Sequence, residues 1–310
     1  MSSESYGRPY KIVIWGSGTD YNRHVNVLKY AEVNREIQIV AITANALPNV
    51  KTIDGWPVIH KNYLKNADFD YIVVMHENYF SDISTDIVNL GIERKRIIPC
   101  RVLDIPYFNW KDYIDILESD ISIVCNNCHG GVLYHTLGLE CRSPFKNLAL
   151  SDKGLLRMLS DLKGYLSAPP QLIRWTVDVH SGLTYPVMAV KDVEIYFNHD
   201  KTIEGALEKW ERRCKKVNFN NIFVSIYTEE SDVVEQFLKL NDYPNKVCFV
   251  PYQGNNSRWK DIDNIYELSL LPEQTEFWEP VNSNVSNGKN SFTFDILSLL
   301  HMKKKYRIER

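Results

Sequence analysis

Short apolar runs alternate with amphipathic stretches along the first hundred residues, which is the pattern of a parallel α/β sheet. Residues 11–15 form an apolar run, a glycine turn follows it, and residues 21–32 have the periodicity of a helix. The later elements predicted in this part are strands at residues 37–42, 71–75 and 96–99 and a helix over residues 81–90. Strands and helices that alternate with short connections predict a Rossmann-like domain with a parallel sheet.

The same alternation resumes beyond residue 118, where we place a domain boundary. The short segment Trp110–Glu118 precedes this point and is interpreted as the passage between domains. The elements predicted after it are strands at residues 121–124, 193–198, 222–226 and 246–250 and helices over residues 132–139, 153–166, 203–217 and 233–240. We therefore predict a two-domain α/β protein, with residues 1–118 as the Rossmann-like domain and residues 119–310 as a second α/β domain with a mainly parallel sheet.

Composition excludes several classes of protein. With 44% hydrophobic and 24% charged residues, the chain of 310 residues has the mixture of a globular protein. No apolar run approaches the ~20 residues of a membrane-spanning helix, and the first residues lack the pattern of a signal peptide. The six cysteines are irregularly spaced and fit reduced thiols. We therefore expect a cytoplasmic protein without membrane insertion.

The C-terminal part carries the basic cluster of the sequence. Residues 252–290 are rich in Asn, Ser and Pro and are predicted to be mostly loop, before a last helix over residues 294–306. The cluster consists of Lys303, Lys304, Lys305 and Arg307, whereas the formal net charge of −3 is spread along the chain. Because nucleic-acid binding usually takes a broad basic face, nucleic acid is not an expected partner, and the cluster is interpreted as a solvated helix end.

A glycine turn opens the first predicted helix. The backbone N–H groups of Gly16, Ser17 and Gly18 can point toward a helix start, where the dipole and unpaired donors hold a phosphate or carboxylate. NAD is disfavoured, because Tyr21 occupies the third glycine position of the dinucleotide fingerprint and Asn45 stands where NAD sites present a carboxylate. The alternative is an empty Rossmann-like domain that only packs and dimerises.

Three elements within residues 12–99 carry a resemblance to known proteins. They are the glycine turn, the Gly-x-Pro-Val-Ile sequence of residues 55–59 and the Ile-Ile-Pro sequence of residues 97–99. With them the region is similar to the N-terminal domain of bacterial sugar acyltransferases and related sugar-modifying proteins. The resemblance implies a nucleotide-sugar or another phosphorylated ligand.

The strongest candidate site follows the strand at residues 121–124, where an apolar run stops at a polar loop before a helix. The amides of Asn126 and Asn127 can hold two sugar hydroxyls, or they can cap the helix and satisfy the loop backbone. Gly130 and Gly131 let a ligand approach the backbone, or they permit a left-handed turn. Cys128 becomes a nucleophile candidate if a base lies near it and the helix start lowers its pKa, and otherwise it is inert packing.

The same loop contains two metal-binding patterns that we reject. Cys125, Cys128 and His129 match the C-x-x-C-H attachment pattern of c-type haem, which belongs to exported proteins. Zinc ligation that adds His135 and Cys141 would lack the second paired-ligand knuckle of structural zinc sites, and Cys125 should point into the sheet. We therefore expect no metal and no haem.

A second candidate site lies at the end of the strand at residues 193–198. His199 shares parity with the apolar residues of this strand, which favours a core-facing histidine. Its position at a strand end favours a general base instead, because ligands bind at such ends in open α/β folds. The neighbours Asp200 and Lys201 are weaker candidates for catalysis and substrate binding, respectively.

The helix after His199 carries two adjacent arginines. Arg212 and Arg213 would suit a phosphate, but adjacent helical positions point about 100° apart, so at most one of them faces a given site. Glu208 is spaced to pair with Arg212 at i,i+4. We take Arg212 as the candidate substrate-binding residue of the two.

Two sequence blocks resemble one family over about residues 120–250. The first is Asn-Asn-Cys-x-Gly-Gly with Leu-Gly-Leu and Ser-Pro after it, and the second runs from Asp192 to His199 and on to the paired arginines. Together they resemble an uncharacterised bacterial family of exopolysaccharide-biosynthesis proteins, itself a domain of unknown function. The resemblance implies a role in the synthesis of cell-surface polysaccharides.

Three functions remain open at this point. The first is an enzyme, a sugar-modifying transferase that uses a nucleotide-sugar or another phosphorylated donor. The second is a non-catalytic module that binds sugar phosphates or assists assembly, and the third is an NAD-dependent oxidoreductase. Because both blocks follow strands that we assign to one parallel sheet, we expect His199, Asn127 and Cys128 to line one cleft.

Overall fold

The structure, a computed structural model, describes residues 7–46, 49–105, 107–178, 181–252, 257–259, 262–268 and 295–302. The chain divides into two compact units. Unit 1 runs to Glu118 and includes Thr136–Leu139, and unit 2 contains Ser119–His135 and the residues from Glu140 onward. Both units combine helices with sheets, which confirms the predicted two-domain α/β fold. In the part of the chain that is described, no helix is long and apolar enough to cross a membrane.

Unit 1 is built on a four-stranded parallel sheet. Its strands are β1 (Tyr10–Trp15), β2 (Ile37–Thr43), β3 (Thr52–Ile53), β4 (Trp56–Pro57), β5 (Tyr71–Val74) and β6 (Ile97–Pro99). Its helices are α1 (Thr19–Val33), α2 (Phe80–Asn89) and α3 (Trp110–Glu118). Strands β2, β1, β5 and β6 pair in that order and are parallel, as the alternation of the sequence predicts. Strands β3 and β4 form a separate short antiparallel pair.

Helix α3 belongs to unit 1 and is not a simple passage between domains. Its apolar face is buried through Trp110, Tyr113, Ile114 and Leu117. The Tyr113 hydroxyl donates a hydrogen bond of 2.9 Å to the carbonyl oxygen of Leu137. This bond ties α3 to the short segment Thr136–Leu139, which groups with unit 1 although it follows α3 by many residues.

A buried histidine ties α1 to the segment after β6. His24 is 2% exposed, its Nδ1 lies 2.8 Å from the carbonyl oxygen of Asp20, and its Nε2 lies 3.0 Å from Asp104 Oδ1. Burial lowers the pKa of His24, but the hydrogen bonds to Asp104 and to the Asp20 carbonyl outweigh it, so the pKa is raised. Burial raises the pKa of Asp104, but the hydrogen bonds and positive charges of His24 and Arg23 together outweigh it, so that pKa is lowered.

Unit 2 contains two sheets. Its strands are β7 (Ser122–Cys125), β8 (Ala149–Leu150), β9 (Gln171–Val177), β10 (Thr184–Val190), β11 (Val193–Tyr196), β12 (Ile222–Tyr227), β13 (Lys246–Pro251) and β14 (Ile265–Leu268). Its helices are α4 (His129–Thr136), α5 (Asp152–Ser160), α6 (Leu162–Leu166), α7 (Ile203–Cys214), α8 (Ser231–Leu238) and α9 (Ile296–Leu300). A parallel sheet has the order β14-β13-β12-β7, and an antiparallel sheet has the order β8-β11-β10-β9.

The antiparallel sheet is a feature that the sequence pattern does not predict. Strand β11 belongs to it, so the expectation that both sequence blocks follow strands of one parallel sheet is wrong. Strand β10 lies inside this sheet although it contains Pro186, a residue usually confined to sheet edges. Strand β9 is exposed along almost its whole length. Its sequence does not alternate between apolar and polar residues as a half-buried strand does, so the pattern does not predict it.

Two further elements of unit 2 differ from their predictions. The single helix predicted over residues 153–166 is divided into α5 and α6 at Asp161, whose non-helical backbone and carboxylate cap the second helix by accepting from Gly164 N. Strand β14 lies within residues 252–290, which were expected to be mostly loop. Helix α9 lies within the predicted last helix, and the basic cluster at residues 303–307 falls outside the described residues.

The core of unit 2 receives side chains from both of its sheets. Val124 and Ile226 come from the parallel sheet and Val190 and Ile195 from the antiparallel one, and all four are buried in one cluster. Trp210 of α7 joins it, with its ring 6.1 Å from the ring of Phe197. Shared burial of this kind fixes the two sheets against each other, because packed interiors resist displacement.

Helix α4 packs against β7 at unusually short range. A Cβ atom at Gly130 would lie 2.7 Å from Cys125 Sγ and 3.2 Å from Ile123 Cγ2, and one at Gly131 would overlap the side chain of Asn147. Neither glycine has a positive φ angle, so the left-handed turn considered for them is wrong. Glycine is required at both positions because the start of α4 lies against β7 and against Asn147, which leaves no room for a Cβ atom.

We expect Gly130→Ala to lower the free energy of unfolding by about 1–3 kcal/mol, because the added methyl group overpacks the contact between α4 and β7. Urea denaturation measures the change. Gly7→Ala is the matched control, since no heavy atom lies within 4 Å of a Cβ built at Gly7. Equal stability of the two variants would contradict the close approach of α4 to β7.

The pair of His24 and Asp104 predicts a pH dependence of stability. The raised pKa of His24 means that its contribution is complete below the unfolded value of about 6.5 and is lost as pH rises through the folded pKa. The lowered pKa of Asp104 sets the acid limit, near its unfolded value of about 3.9. We expect His24→Gln to lower the melting temperature more at about pH 5.5 than at about pH 8.5. A loss that is larger at the higher pH would contradict a charged His24.

Candidate functional site

The candidate site of unit 2 lies where β7 leads into α4. Strand β7 is parallel to β12, and the loop of residues 126–128 follows its carboxyl end, which confirms the prediction for this loop. The glycine turn of unit 1 likewise follows the carboxyl end of β1, a strand parallel to both of its neighbours. Helix α4 begins at His129 and not at Val132, so Gly130 and Gly131 lie in its first turn.

Both asparagine side chains of the loop are bonded to the protein. Asn126 is 8% exposed, its Nδ2 donates to the Tyr227 carbonyl oxygen at 2.8 Å, and its Oδ1 accepts from Tyr227 N at 3.1 Å. The amide thus extends the pairing of β7 with β12 beyond the last residue of β7. Asn127 Oδ1 accepts from His129 N at 2.8 Å and caps α4. Contact of either amide with sugar hydroxyls stays a prediction.

The two candidate reactive side chains lie next to each other. Cys128 Sγ is 3.6 Å from His199 Nε2, although 71 positions separate the two residues in sequence. Cys128 is half-buried at the start of α4, where its carbonyl oxygen accepts from Val132 N, and His199 is exposed. The interpretation of His199 as a core histidine is therefore wrong, because β11 ends at Tyr196 and the parity of the strand no longer applies.

The environment of Cys128 keeps its thiol protonated at rest. Burial raises the pKa of Cys128, and the hydrogen bond with Asn198 opposes this rise without cancelling it. Burial of this thiol therefore outweighs the lowering of its pKa that a helix start can produce. A neutral thiol next to an imidazole nitrogen is the arrangement in which the base removes the proton as the sulfur attacks.

Cys125 and His129 face the interior and contact protein groups. Cys125 Sγ donates to the Asn127 carbonyl oxygen at 3.0 Å and accepts from Gly130 N at 3.3 Å, and burial raises its pKa to about 12. His129 is fully buried with Nδ1 3.1 Å from Ser225 Oγ, and burial lowers its pKa to about 3. Both side chains hold α4 on the sheet, as expected for Cys125, and the expected absence of metal and haem stays a prediction.

The other candidates near His199 do not converge on the thiol. Asp200 is 6% exposed and forms an ion pair with Lys209, so its carboxylate is engaged in the fold. Lys201 and Arg212 are exposed, and the structure does not pair Arg212 with Glu208. Arg213 donates to the carbonyl oxygen of Lys146 at 2.9 Å and is not a surface ion-pair partner. Roles of Asp200, Lys201 and Arg212 in a reaction stay predictions.

In unit 1 the glycine turn is shaped by backbone packing. Gly16 has a φ angle of +105°, and a Cβ atom there would lie 3.2 Å from the carbonyl oxygen of Met75. Gly16 N donates to the Thr43 carbonyl oxygen at 2.7 Å, so this N–H group is not available to a ligand. Ser17 is half-buried and Gly18 is exposed at the start of α1, where unpaired backbone donors remain.

Three carboxylates follow the carboxyl ends of the unit 1 strands. Asp20 Oδ2 accepts from Glu77 N at 2.9 Å, Glu77 pairs with Arg101 at 2.6 Å, and Asp104 pairs with Arg23 at 2.6 Å. These acids lie after β1, β5 and β6, where a phosphate would bind, and Glu77 and Asp104 are each neutralised by an arginine. A phosphate would therefore compete with these two carboxylates for Arg101 and Arg23.

The two departures from the NAD fingerprint have structural roles. Tyr21 is 2% exposed and donates from its hydroxyl to Asp54 Oδ2 at 2.6 Å. Asn45 donates to Asp86 Oδ2 at 3.1 Å and accepts from Lys61 Nζ at 2.8 Å. Tyr21 is not the glycine that lets helix and strand pack closely in a dinucleotide site, and Asn45 is not the carboxylate that binds the ribose. NAD therefore remains disfavoured.

Asn198 belongs to the polar stretch of residues 198–201 that the sequence singles out, but no role was predicted for it. Asn198 Nδ2 lies 4.0 Å from Cys128 Sγ, and its Oδ1 is buried and has no hydrogen-bond partner in the described part of the chain. The signal that could have found it is its place beside His199 in the polar stretch after β11. The sequence pattern favoured the titratable residues of that stretch and passed over an amide.

Comparison with known proteins places most of the chain in a family. Residues 8–98 match the family described as C2185-like, N-terminal. The chain is 31% identical over 167 residues to an uncharacterised protein of Haemophilus influenzae. The aligned region covers 50% of this chain and 78% of that protein. Residues 100–301, which contain Cys128, Asn198 and His199, match a further family model. On this match the chain belongs to the family described as domain of unknown function DUF1919.

Proposed function

We propose that the chain is a transferase that modifies a sugar in the synthesis of a cell-surface polysaccharide, with Cys128 as nucleophile and His199 as general base. The observation that carries this proposal is the distance of 3.6 Å between Cys128 Sγ and His199 Nε2. A thiol attacks only as its thiolate, so a base within reach of its proton is the minimum that the chemistry requires. The exposed imidazole of His199 is open to both the donor and the acceptor.

The position of the pair supports catalysis over simple binding. A binding module needs polar groups that are free for a ligand, yet the amides of Asn126 and Asn127 are bonded to the protein. A half-buried thiol with a raised pKa adds little to the affinity for a sugar. It gains a role when the adjacent imidazole moves its proton, which is a catalytic role.

The sugar context of the proposal comes from the resemblance of the two sequence blocks to exopolysaccharide-biosynthesis proteins. Within unit 1, the start of α1 is the proposed place for a phosphorylated ligand, with Arg23 and Arg101 turned toward it. All six cysteines are free thiols, which supports a cytoplasmic location for the reaction. The partners of this enzyme would be small sugar or nucleotide ligands.

The reactivity of Cys128 tests the pair directly. We expect His199→Ala to slow alkylation of Cys128 by iodoacetamide about tenfold or more near pH 7, because no adjacent base then takes the proton as the sulfur attacks. Mass spectrometry of the alkylated peptides measures the rate, with half-buried Cys141 as an internal reference. His76→Ala, which removes an exposed histidine of unit 1, is the matched control. If both variants alkylate at the wild-type rate, His199 does not activate Cys128.

The donor class can be found by thermal stabilisation. We expect UDP-glucose, UDP-N-acetylglucosamine or acetyl-CoA to raise the melting temperature, since a ligand at one hundred times its dissociation constant adds about 2.7 kcal/mol. NAD should leave it unchanged. A donor that binds should be consumed with a sugar acceptor by the wild type but not by Cys128→Ser. Consumption by Cys128→Ser at the wild-type rate would rule out the thiol as nucleophile.

A further inference from the structure

We propose that the group carried by Cys128 is an acyl group and that Asn198 donates the hydrogen bond that stabilises the oxyanion formed on its carbonyl. This inference rests on the proposed role of Cys128 and His199 and names the substrate class of that same site: an acyl thioester as donor and a sugar hydroxyl as acceptor. Asn198 thereby becomes a third member of the reacting centre.

The turn after β11 presents two side chains to one sulfur. Asp200 N donates to the Phe197 carbonyl oxygen at 2.9 Å, which closes a turn with Asn198 and His199 as its central residues. Both ends of the turn are fixed, since Phe197 is buried in the core and Asp200 is paired with Lys209. Central residues between two anchored ends have little freedom, so their side chains are held in place.

The two side chains have complementary chemistry toward the thiol. His199 Nε2, at 3.6 Å from Cys128 Sγ, can accept the proton. Asn198 Nδ2, at 4.0 Å from the same sulfur, can only donate. Because this amide is partly buried, the hydrogen bond that it offers to a developing negative charge is stronger than it would be in water. The buried Asn198 Oδ1 makes no hydrogen bond to the described residues, so the hydrogen bond from Nδ2 to Cys128 is the polar contact that the structure gives this amide.

An amide donor beside a nucleophile fits acyl transfer better than glycosyl transfer. Attack on a carbonyl carbon places a full negative charge on oxygen, two bonds from the sulfur, where a preorganised N–H group stabilises it. Cleavage of a glycosidic bond passes through a cationic state, for which most glycoside hydrolases use a pair of carboxylates. The carboxylate nearest to His199 in sequence, Asp200, is bound to Lys209 and is not free for that task.

The reaction balances with the groups at hand. His199 Nε2 takes the proton of Cys128 as the sulfur bonds to the carbonyl carbon of the donor, and Asn198 binds the resulting oxyanion. The oxyanion collapses, the bond from carbon to the leaving thiol breaks, and His199 returns the proton to that thiol. The acceptor hydroxyl then gives its proton to His199, attacks the acyl-cysteine and releases the sugar ester, and Cys128 regains the proton.

Two reactions of the same thiol separate the roles of Asn198. Acylation by acetyl-CoA or by p-nitrophenyl acetate forms an oxyanion, whereas alkylation by iodoacetamide displaces iodide and forms none. We expect Asn198→Ala and Asn198→Asp to slow acylation of Cys128 about 100-fold more than they slow alkylation. Intact-protein and peptide mass spectrometry measure both rates on the full chain. Asn241→Ala, an exposed asparagine of unit 2 outside the site, should change neither rate.

The outcomes distinguish this inference from the function on which it rests. If the Asn198 variants slow both reactions equally while their melting temperatures stay unchanged, Asn198 supports the thiolate only and the oxyanion role is overturned. If alkylation of Cys128 depends on His199 but neither acyl probe acylates the wild type, the acyl assignment fails and the Cys128–His199 pair stands. If alkylation does not depend on His199, the proposed function fails first.

Discussion

The close approach of α4 to β7 is the constraint on which the candidate site of unit 2 depends. With no Cβ at Gly130, the helix starts against Cys125 and Ile123, and Asn126 and Asn127 fasten the loop between strand and helix. These contacts fix the first residue of the helix and hence the direction of the Cys128 side chain. A larger residue at position 130 would move the thiol as well as the helix.

The partner of this thiol arrives from the other sheet. Strand β11 and the turn after it bring His199 to Cys128, and the shared core of unit 2 holds the two sheets in a fixed position relative to each other. Neither sheet alone contains both reacting groups. The geometry of the pair therefore depends on packing between sheets, which holds positions more firmly than a flexible loop would.

The sequence predicts those elements of the fold that depend on short-range patterns of apolar and polar residues. Periodicity locates the parallel strands of both units except β14, and it locates the loop before α4, because each of these signals lies within a few residues. It fails for β10, where Pro186 hides a strand inside a sheet, and for residues 153–166, where Asp161 starts a new helix. The meeting of Cys128 with His199 was expected for the wrong reason, since sheet assignment is decided by tertiary contacts.

The division of the site between two sheets has a consequence for partial unfolding and for the oxidation of the protein during storage. Strand β9 is one edge of the antiparallel sheet, and its Ile173 and Trp175 are each 44% exposed, so partial opening is expected to start there. Such opening would detach the imidazole while the parallel sheet and its thiol stay folded. Cys128 would then lose its imidazole neighbour before helical circular dichroism is lost, and oxidation of its thiol would be the first chemical change in stored protein.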